Sequence, residues 1–181
     1  MNDNEALQLA QHGREDGFRA IFANHGGFLF THALRLLKDR QTAEDAVQEA
    51  MASAFRSINA FRGEARLRTW LYQILYHSAM RLAGKRPPLP VKIGELAVSR
   101  SASGEIEQKN DVEKILDQLS ERDRAILIIT YWDELPLKEA AQILEISENN
   151  AKIVLFRARN RFASLWSSAN REKEVQKDAV R

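Results

Sequence analysis

Apolar residues recur along most of this chain at spacings of three and four, the period of a helix with one buried face. Plotting positions at 100° per residue predicts helices at about 4–23, 27–39, 42–58 and 66–83. After a break, more follow at about 110–118, 121–132, 136–144 and 148–167. In 42–58, Ala43, Ala46, Val47, Ala50, Met51, Ala54 and Ile58 share one side. In 66–83 the shared side is Leu67, Leu71, Ile74, Leu75, Ser78 and Leu82. In 148–167 it is Ala151, Val154, Leu155, Ala158, Phe162, Leu165 and Trp166. These are the predicted core faces. Thr42 with Asp45 resembles a capping box, Ser120 with Asp123 a second cap, and Ser147 a cap for the last helix. Pro136 suits the first turn of its helix.

The break runs from Gly84 to Asn110 and holds Gly84, Pro87, Pro88, Pro90, Gly94 and Gly104. No single long helix can contain that punctuation. The expected fold is therefore all-α, with two small helical domains, 1–84 and 111–168. A flexible linker at 85–110 joins them, and a polar, frayed tail occupies 169–181.

The outer faces carry the chemistry. Opposite the core of 42–58 lie Asp45, Gln48, Glu49, Ala52 and Arg56. An ordinary solvated face has this composition, and so does a docking face for a basic partner. Opposite the core of 66–83 lie Thr69, Tyr72, Gln73, Tyr76 and Met80. The periodicity points both tyrosines outward, and their spacing of four makes their rings neighbours. Just upstream stand Phe61, Arg62, Arg66, Arg68 and Trp70. Rings interleaved with arginines suit single-stranded DNA, which needs stacking for bases and charge for phosphates. Phe61 and Trp70 also fit as plugs of the domain core. On 148–167 the outer face carries Asn149, Asn150, Ile153, Phe156, Arg157 and Asn160, with Lys152 and Arg159 at its edges. The preceding segment, 137–147, reads as a short helix and a tight turn. Ala141 is small at the crossing and Ile146 plugs the turn, which together predict a helix-turn-helix.

Charge sharpens this picture. The net charge is +2, unevenly spread. Residues 1–60 hold six basic and eight acidic side chains, and 61–100 hold eight and two. Residues 101–150 hold five and twelve, and 151–181 hold eight and three. Basic blocks suit a polyanion, though solvated helix faces can look the same. The absence of cysteine excludes disulfides and thiolate metal sites. The start, 1–11, lacks a basic stretch followed by an apolar run, and no apolar run is long enough to cross a membrane, so a cytoplasmic protein is expected. An enzyme is disfavoured. His12, His25, His32 and His77 are scattered, Asp45 and Glu49 lack a second carboxylate pair, and no glycine-rich phosphate loop occurs.

Three segments in this order resemble the extracytoplasmic-function group of bacterial sigma factors. Ala43-Glu-Asp-Ala-Val-Gln-Glu49 is similar to the segment that grips the polymerase clamp. Phe61-Arg-Gly-Glu-Ala-Arg-Leu-Arg-Thr-Trp-Leu-Tyr-Gln-Ile74 is similar to the promoter-opening segment. Leu119 to Leu127 through Phe156-Arg-Ala-Arg159 is similar to the second DNA-binding domain. The resemblance covers about 15–83 and 111–166.

It implies that Asp45, Gln48 and Glu49, with Ala52 and Arg56, bind the clamp of the largest subunit of core RNA polymerase. It implies a second contact with the flap of the second subunit. The −10 element would be read and opened, with a base flipped out, by Phe61, Arg62, Arg66, Arg68, Thr69, Trp70, Tyr72, Gln73, Tyr76 and Met80. The −35 element would be read by Asn149, Asn150, Lys152, Ile153, Phe156, Arg157 and Arg159. An anti-sigma protein, often membrane-anchored, would hold the chain inactive until a stress or envelope signal. No catalytic residue, cofactor, metal or small-molecule substrate is implied.

The chain departs from the family pattern at Glu145, where glycine is usual in the turn, and at Ile153 and Val154, where serine and arginine are usual. A left-handed Glu145 costs about 1 kcal/mol relative to glycine. The alternative function is a stand-alone helix-turn-helix regulator, which gives no role to the Asp45 face or to the two tyrosines.

Overall fold

The computed structural model describes residues 1–84 and 111–179, with side chains as far as 171. The expected linker, 85–110, lies outside the described residues. Among those described, the chain forms two helical domains and no strand.

The first domain holds α1 (Asp3–Gln11), α2 (Glu15–Leu37), α3 (Arg40–Ser57) and α4 (Leu67–Ala83). A capping box starts α1: Asn2 accepts from the Glu5 N–H, and Glu5 accepts from the Asn2 N–H. The expected single helix over 4–23 is instead broken at Gly13, whose φ of 74° is left-handed. The expected break near Gly26 and Gly27 does not occur. Ile21, His25, Leu29, His32 and Leu36 lie on one continuous buried face of α2, and tertiary packing of that face overrides the poor helix propensity of the glycines. Gly17 lets α1 and α2 touch. A Cβ there would lie 2.4 Å from the Ala10 backbone nitrogen and 2.5 Å from the Ala6 carbonyl oxygen.

The cap of α3 also differs from expectation. Asp39 is the N-cap and accepts from the Thr42 N–H at 2.9 Å, so the helix begins before the expected Thr42–Asp45 box. The predicted alanine face of α3 is buried, and its small side chains let α3 lie close to its neighbours. A 3₁₀ turn, Ile58–Ala60, leads into the loop before α4. Gln11 fixes this loop by donating to the carbonyls of Ile58 (3.2 Å) and Phe61 (3.3 Å).

The second domain begins with α5 (residues 111–117), followed by α6 (Glu121–Leu127), α7 (Leu137–Ile143) and α8 (Glu148–Ala179). Ser120 caps α6 as expected, accepting from the Asp123 N–H. The expected helix 121–132 is α-helical only to Leu127. It then widens into a π turn over Ile128–Trp132, closed by the Asp133 N–H on the Ile128 carbonyl at 3.0 Å. Pro136 stands one position earlier than expected, as the N-cap of α7. Its carbonyl accepts from Glu139 and Ala140.

The predicted helix-turn-helix is present in α7 and α8. Ala141 is buried at the crossing, Ile146 packs on the core, and Ser147 accepts from the Asn150 N–H. Glu145 is left-handed, with φ 52°. The tail expected to fray from 168 instead continues α8 to Ala179, because 168–179 contains no glycine or proline to stop it.

Replacing Gly17 by alanine should force α1 off α2, since the atoms in the way are backbone. The expected loss is about 1–3 kcal/mol, read as a lower midpoint in denaturant unfolding. An unchanged midpoint would mean that α1 does not pack closely there.

Candidate nucleic-acid interface

Three surfaces were expected, on α3, on α4 with its preceding loop, and on α8. The α3 face is presented as the periodicity requires. Asp45, Gln48, Ala52 and Arg56 are exposed, while Ala46, Val47 and Ala50 behind them are buried. Gln41 donates to Asp45 at 3.3 Å, and Glu49 is half-buried and ion-paired with Arg81 of α4. Beside this face, Phe55 is 57% exposed and packs on Phe18, with ring centroids 4.3 Å apart. The sequence reading did not single out Phe55, although its position one step from Arg56 on a solvent-facing turn was a usable signal.

In the second surface, Arg62, Arg66 and Arg68 are exposed. The Arg68 guanidinium lies 3.6 Å from the centre of the Phe28 ring, a cation–π contact. Phe61 and Trp70 are half-buried against each other, 5.1 Å between centroids, so both of their expected uses remain open to them.

The outward direction expected for Tyr72 is not what is found. Tyr72 is fully buried, and Thr69 is nearly so. Two things bury them: Phe28 and His32 of α2 pack on the Tyr72 ring, and the second domain lays α7 and the turn before it over this face. Tyr72 donates to Asp133 Oδ2 at 2.6 Å, Thr69 to Glu139 Oε2 at 2.6 Å, and Gln73 to Glu145 Oε1 at 2.7 Å. Around Tyr72 stand Phe28, edge-on at 5.7 Å, and the His32 ring, stacked at 4.8 Å. Tyr76 and Met80, further along, are half-buried.

Burial pushes the Tyr72 phenol well above its ordinary value, and the Asp133 carboxylate adds to the effect. The group therefore stays a proton donor at neutral pH. Tyr76 is raised as well, first by burial.

Asp133 is the residue the sequence reading missed. Its side chain is inaccessible to solvent, yet it receives groups from three positions of the first domain: Tyr72, Arg35 (2.9 Å) and His32 Nδ1 (2.6 Å).

The third surface is open. Asn149, Asn150, Lys152, Arg157 and Arg159 are exposed, with Ile153 at 64% and Phe156 at 68%. Two of the cations are tethered. Lys152 lies 3.6 Å from Glu148, and Arg157 donates from Nη2 to the buried Asp123 at 2.6 Å. The Asp123 contact fixes the Arg157 guanidinium against α6, which pre-orients it on the helix face. Among the described residues, no cluster of histidine and carboxylate could hold a metal ion, and no helix is long and apolar enough to cross a membrane.

Comparison with known proteins fits both halves. The Sigma-70 region 2 family model matches residues 21–86, and the Sigma-70 region 4 model matches 109–162. The chain is 29% identical over 153 residues to the ECF RNA polymerase sigma factor SigM of Bacillus subtilis, covering 81% of this chain and 93% of that one. This chain belongs to the sigma-70 family, in its extracytoplasmic-function (ECF) group.

It is also 25% identical to the RNA polymerase sigma-H factor of Pseudomonas aeruginosa, with 87% of this chain and 90% of that one covered. Solved structures share the fold. CnrH, determined in complex with the cytosolic domain of CnrY, aligns with a TM-score of 0.70 at 21% identity, over 92% of this chain and 97% of that one. The sigma factor RpoE of Bartonella quintana, determined with the anti-sigma factor NepR, gives 0.59 at 24% identity, over 83% and 96%. In this sigma factor the region 4 match ends at Phe162, and α8 runs on past it.

A group whose folded pKa is raised contributes stability below its unfolded value, and that contribution is lost as pH rises. For Tyr72 the loss should begin above about pH 10, where an unfolded tyrosine ionises. Alkaline titration followed by tyrosinate absorbance should show a late ionisation that the Tyr72→Phe variant lacks. A variant with the same titration curve would mean that Tyr72 is not buried beside Asp133 in solution.

Proposed function

We propose that this chain directs core RNA polymerase to promoters through three surfaces with separate tasks. The observation that supports this most strongly is the pairing, along one chain, of region 2 and region 4 matches with an exposed acidic face on α3 and an exposed recognition helix in α8. Asp45, Gln48, Glu49, Ala52 and Arg56 would dock on the clamp of the largest subunit, and the second domain would meet the flap of the second. Acidic side chains projecting from a buried alanine face suit a basic partner and add orientation to the encounter.

The Phe61–Trp70 loop and α4 would work on the −10 element. The arginines hold phosphates, and the aromatic rings receive bases that leave the stack. In α8, Asn149, Asn150, Arg157 and Arg159 would meet base edges or phosphates of the −35 element, with Lys152 supplying charge. Ile153 fits the methyl group of a thymine better than a polar base edge. The work is recognition rather than catalysis, with no cofactor, and its place is the cytoplasm, where polymerase is. Relatives were solved bound to partner proteins, one of them to a named anti-sigma factor. An anti-sigma protein, membrane-anchored or soluble, is the expected regulator here too, with the exposed Ile153 and Phe156 as apolar anchors.

Transcription in vitro with core polymerase and a promoter library tests this directly. The chain should make core initiate at defined starts, whereas a stand-alone regulator would do nothing without another sigma factor. Asp45→Arg with Glu49→Gln should lower core binding at least tenfold with native circular dichroism, because Asp45 is exposed and the partner of Glu49, Arg81, reaches solvent. Undiminished core binding in a pull-down would remove the α3 face from the account.

A further inference from the structure

The two most exposed large apolar side chains among the described residues stand on adjacent turns of α8. Ile153 is 64% exposed and Phe156 68%. Single exposed apolar residues are ordinary, but two together on a binding helix form a patch that works when covered. Of the two positions in α8 that depart from the sigma-factor pattern, Val154 is buried and Ile153 faces outward. Ile153 alone therefore changes the surface.

The placement of the pair decides what covers it. Asn149, Ile153, Phe156 and Asn160 follow one another at spacings of four, three and four, so they form one stripe. All four are exposed, while Ala151, Val154 and Ala158 are buried. Asn150 and Arg157 flank the stripe on one side, Lys152 and Arg159 on the other. Two of these cations are already engaged: Lys152 with Glu148 at 3.6 Å, and Arg157 with the buried Asp123 at 2.6 Å. The margins thus carry charge suited to phosphates. Between Asn149 and Asn160 the stripe offers a base edge no donor and no acceptor.

The charge around the patch names its partner. No acidic residue occurs from Asn149 to Arg171, a span that holds Lys152, Arg157, Arg159, Arg161 and Arg171. That surface is complementary to a polyanion. In the major groove the apolar group on a base edge is the C5-methyl of thymine, which cytosine lacks. Ile153 and Phe156 are separated by roughly 4.5 Å along the helix axis, at about 1.5 Å per residue. Base pairs are about 3.4 Å apart, so the two side chains can cover methyl groups on neighbouring pairs.

We propose that Ile153, with Phe156 shielding it from water, reads pyrimidine C5-methyl groups in the −35 element. The ligand of this stripe is then a 5-methylpyrimidine, thymine or 5-methylcytosine, and not a hydrogen-bonding base edge. The proposal rests on the reading of α8 as the −35 surface. Burying one methyl group changes affinity about fourfold, which sets the discrimination expected at each position.

Holoenzyme assembled from core polymerase and the full-length chain should be offered templates with a randomised −35 region. Templates that initiate should be enriched in T·A pairs at one or two positions. Deoxyuridine in place of thymidine there removes the methyl group and keeps the pairing. It should lower initiation about fourfold at limiting holoenzyme. A C·G pair at the same position should start poorly, and 5-methylcytosine should recover about fourfold. Ile153→Val should keep the response to uracil, and Ile153→Ser should lose it. Both substitutions fall on an exposed side chain, so the fold is retained.

Starts that depend on the −35 region yet treat thymine and uracil alike would overturn the methyl reading alone. So would an Ile153→Ser chain that selects the same sequence with the same uracil response, since the apolar pair would then belong to a protein partner. Holoenzyme that starts at no template, or without regard to the −35 region, would overturn the sigma-factor reading of α8 and this inference with it.

Discussion

A carboxylate removed from water needs partners for its charge and its lone pairs, and Asp133 finds them only in the other domain. Its side chain is sealed by Tyr72, Arg35 and His32, which α2 and α4 supply. Removing one partner from such a buried group costs about 3–5 kcal/mol, whereas exposed pairs like Gln73–Glu145 contribute little each. The way the domains meet is therefore set at one point, and the outer pairs adjust the register. Other features serve that point. The unbroken α2, with Gly26 and Gly27 inside it, brings His32 and Arg35 onto adjacent turns. The π turn after Leu127 and the left-handed Glu134 present Asp133 at the end of a helix rather than along it. Phe28 meets His32 and Tyr72 edge-on, and the stacked His32 and Tyr72 rings pack beside the carboxylate.

The helices were legible in the sequence because their buried faces are strongly periodic, as in Ala43, Ala46, Val47, Ala50 and Ala54 of α3. Their ends were less so. Gly13 and Gly26 look alike in a sequence, but Gly13 has no packed face to hold it helical, while Gly26 lies between His25 and Leu29 on the core of α2. Asp39 and Thr42 are both good caps, and the choice between them depended on where the chain leaves α2 in a left-handed turn at Lys38. The exposed residues of α3 and α8 were legible for the same reason as the helices. Tyr72 was not. Periodicity put it on the outer side of α4, yet its ring packs on Phe28 and His32 of α2 and the second domain covers its hydroxyl. Asp133 was invisible because a lone acidic residue in a turn has the sequence signature of a solvated loop.

The charge blocks acquire distinct meanings once the fold is known. The basic block around 61–81 faces outward through Arg62, Arg66 and Arg68, available to phosphates. The acidic block of the second domain splits in two. Asp123 orients Arg157 on the recognition helix, while Asp117, Asp133, Glu139 and Glu145 turn toward the first domain. The recognition helix keeps an apolar centre at Ile153 and Phe156. A helix that reads DNA and also offers apolar anchors can be claimed by a protein competitor, so promoter and regulator would contend for one surface.

The central claim is that the buried Asp133 fixes how the two domains of this sigma factor meet. The most direct measurement is the distance between fluorophores on Gln41 of α3 and Lys152 of α8, both exposed, followed in single molecules. The account predicts one short distance for the native chain and a broader, longer distribution for the Asp133→Ala variant with its helical content retained. The same distribution in both chains, or a native chain without a single short distance, would contradict it.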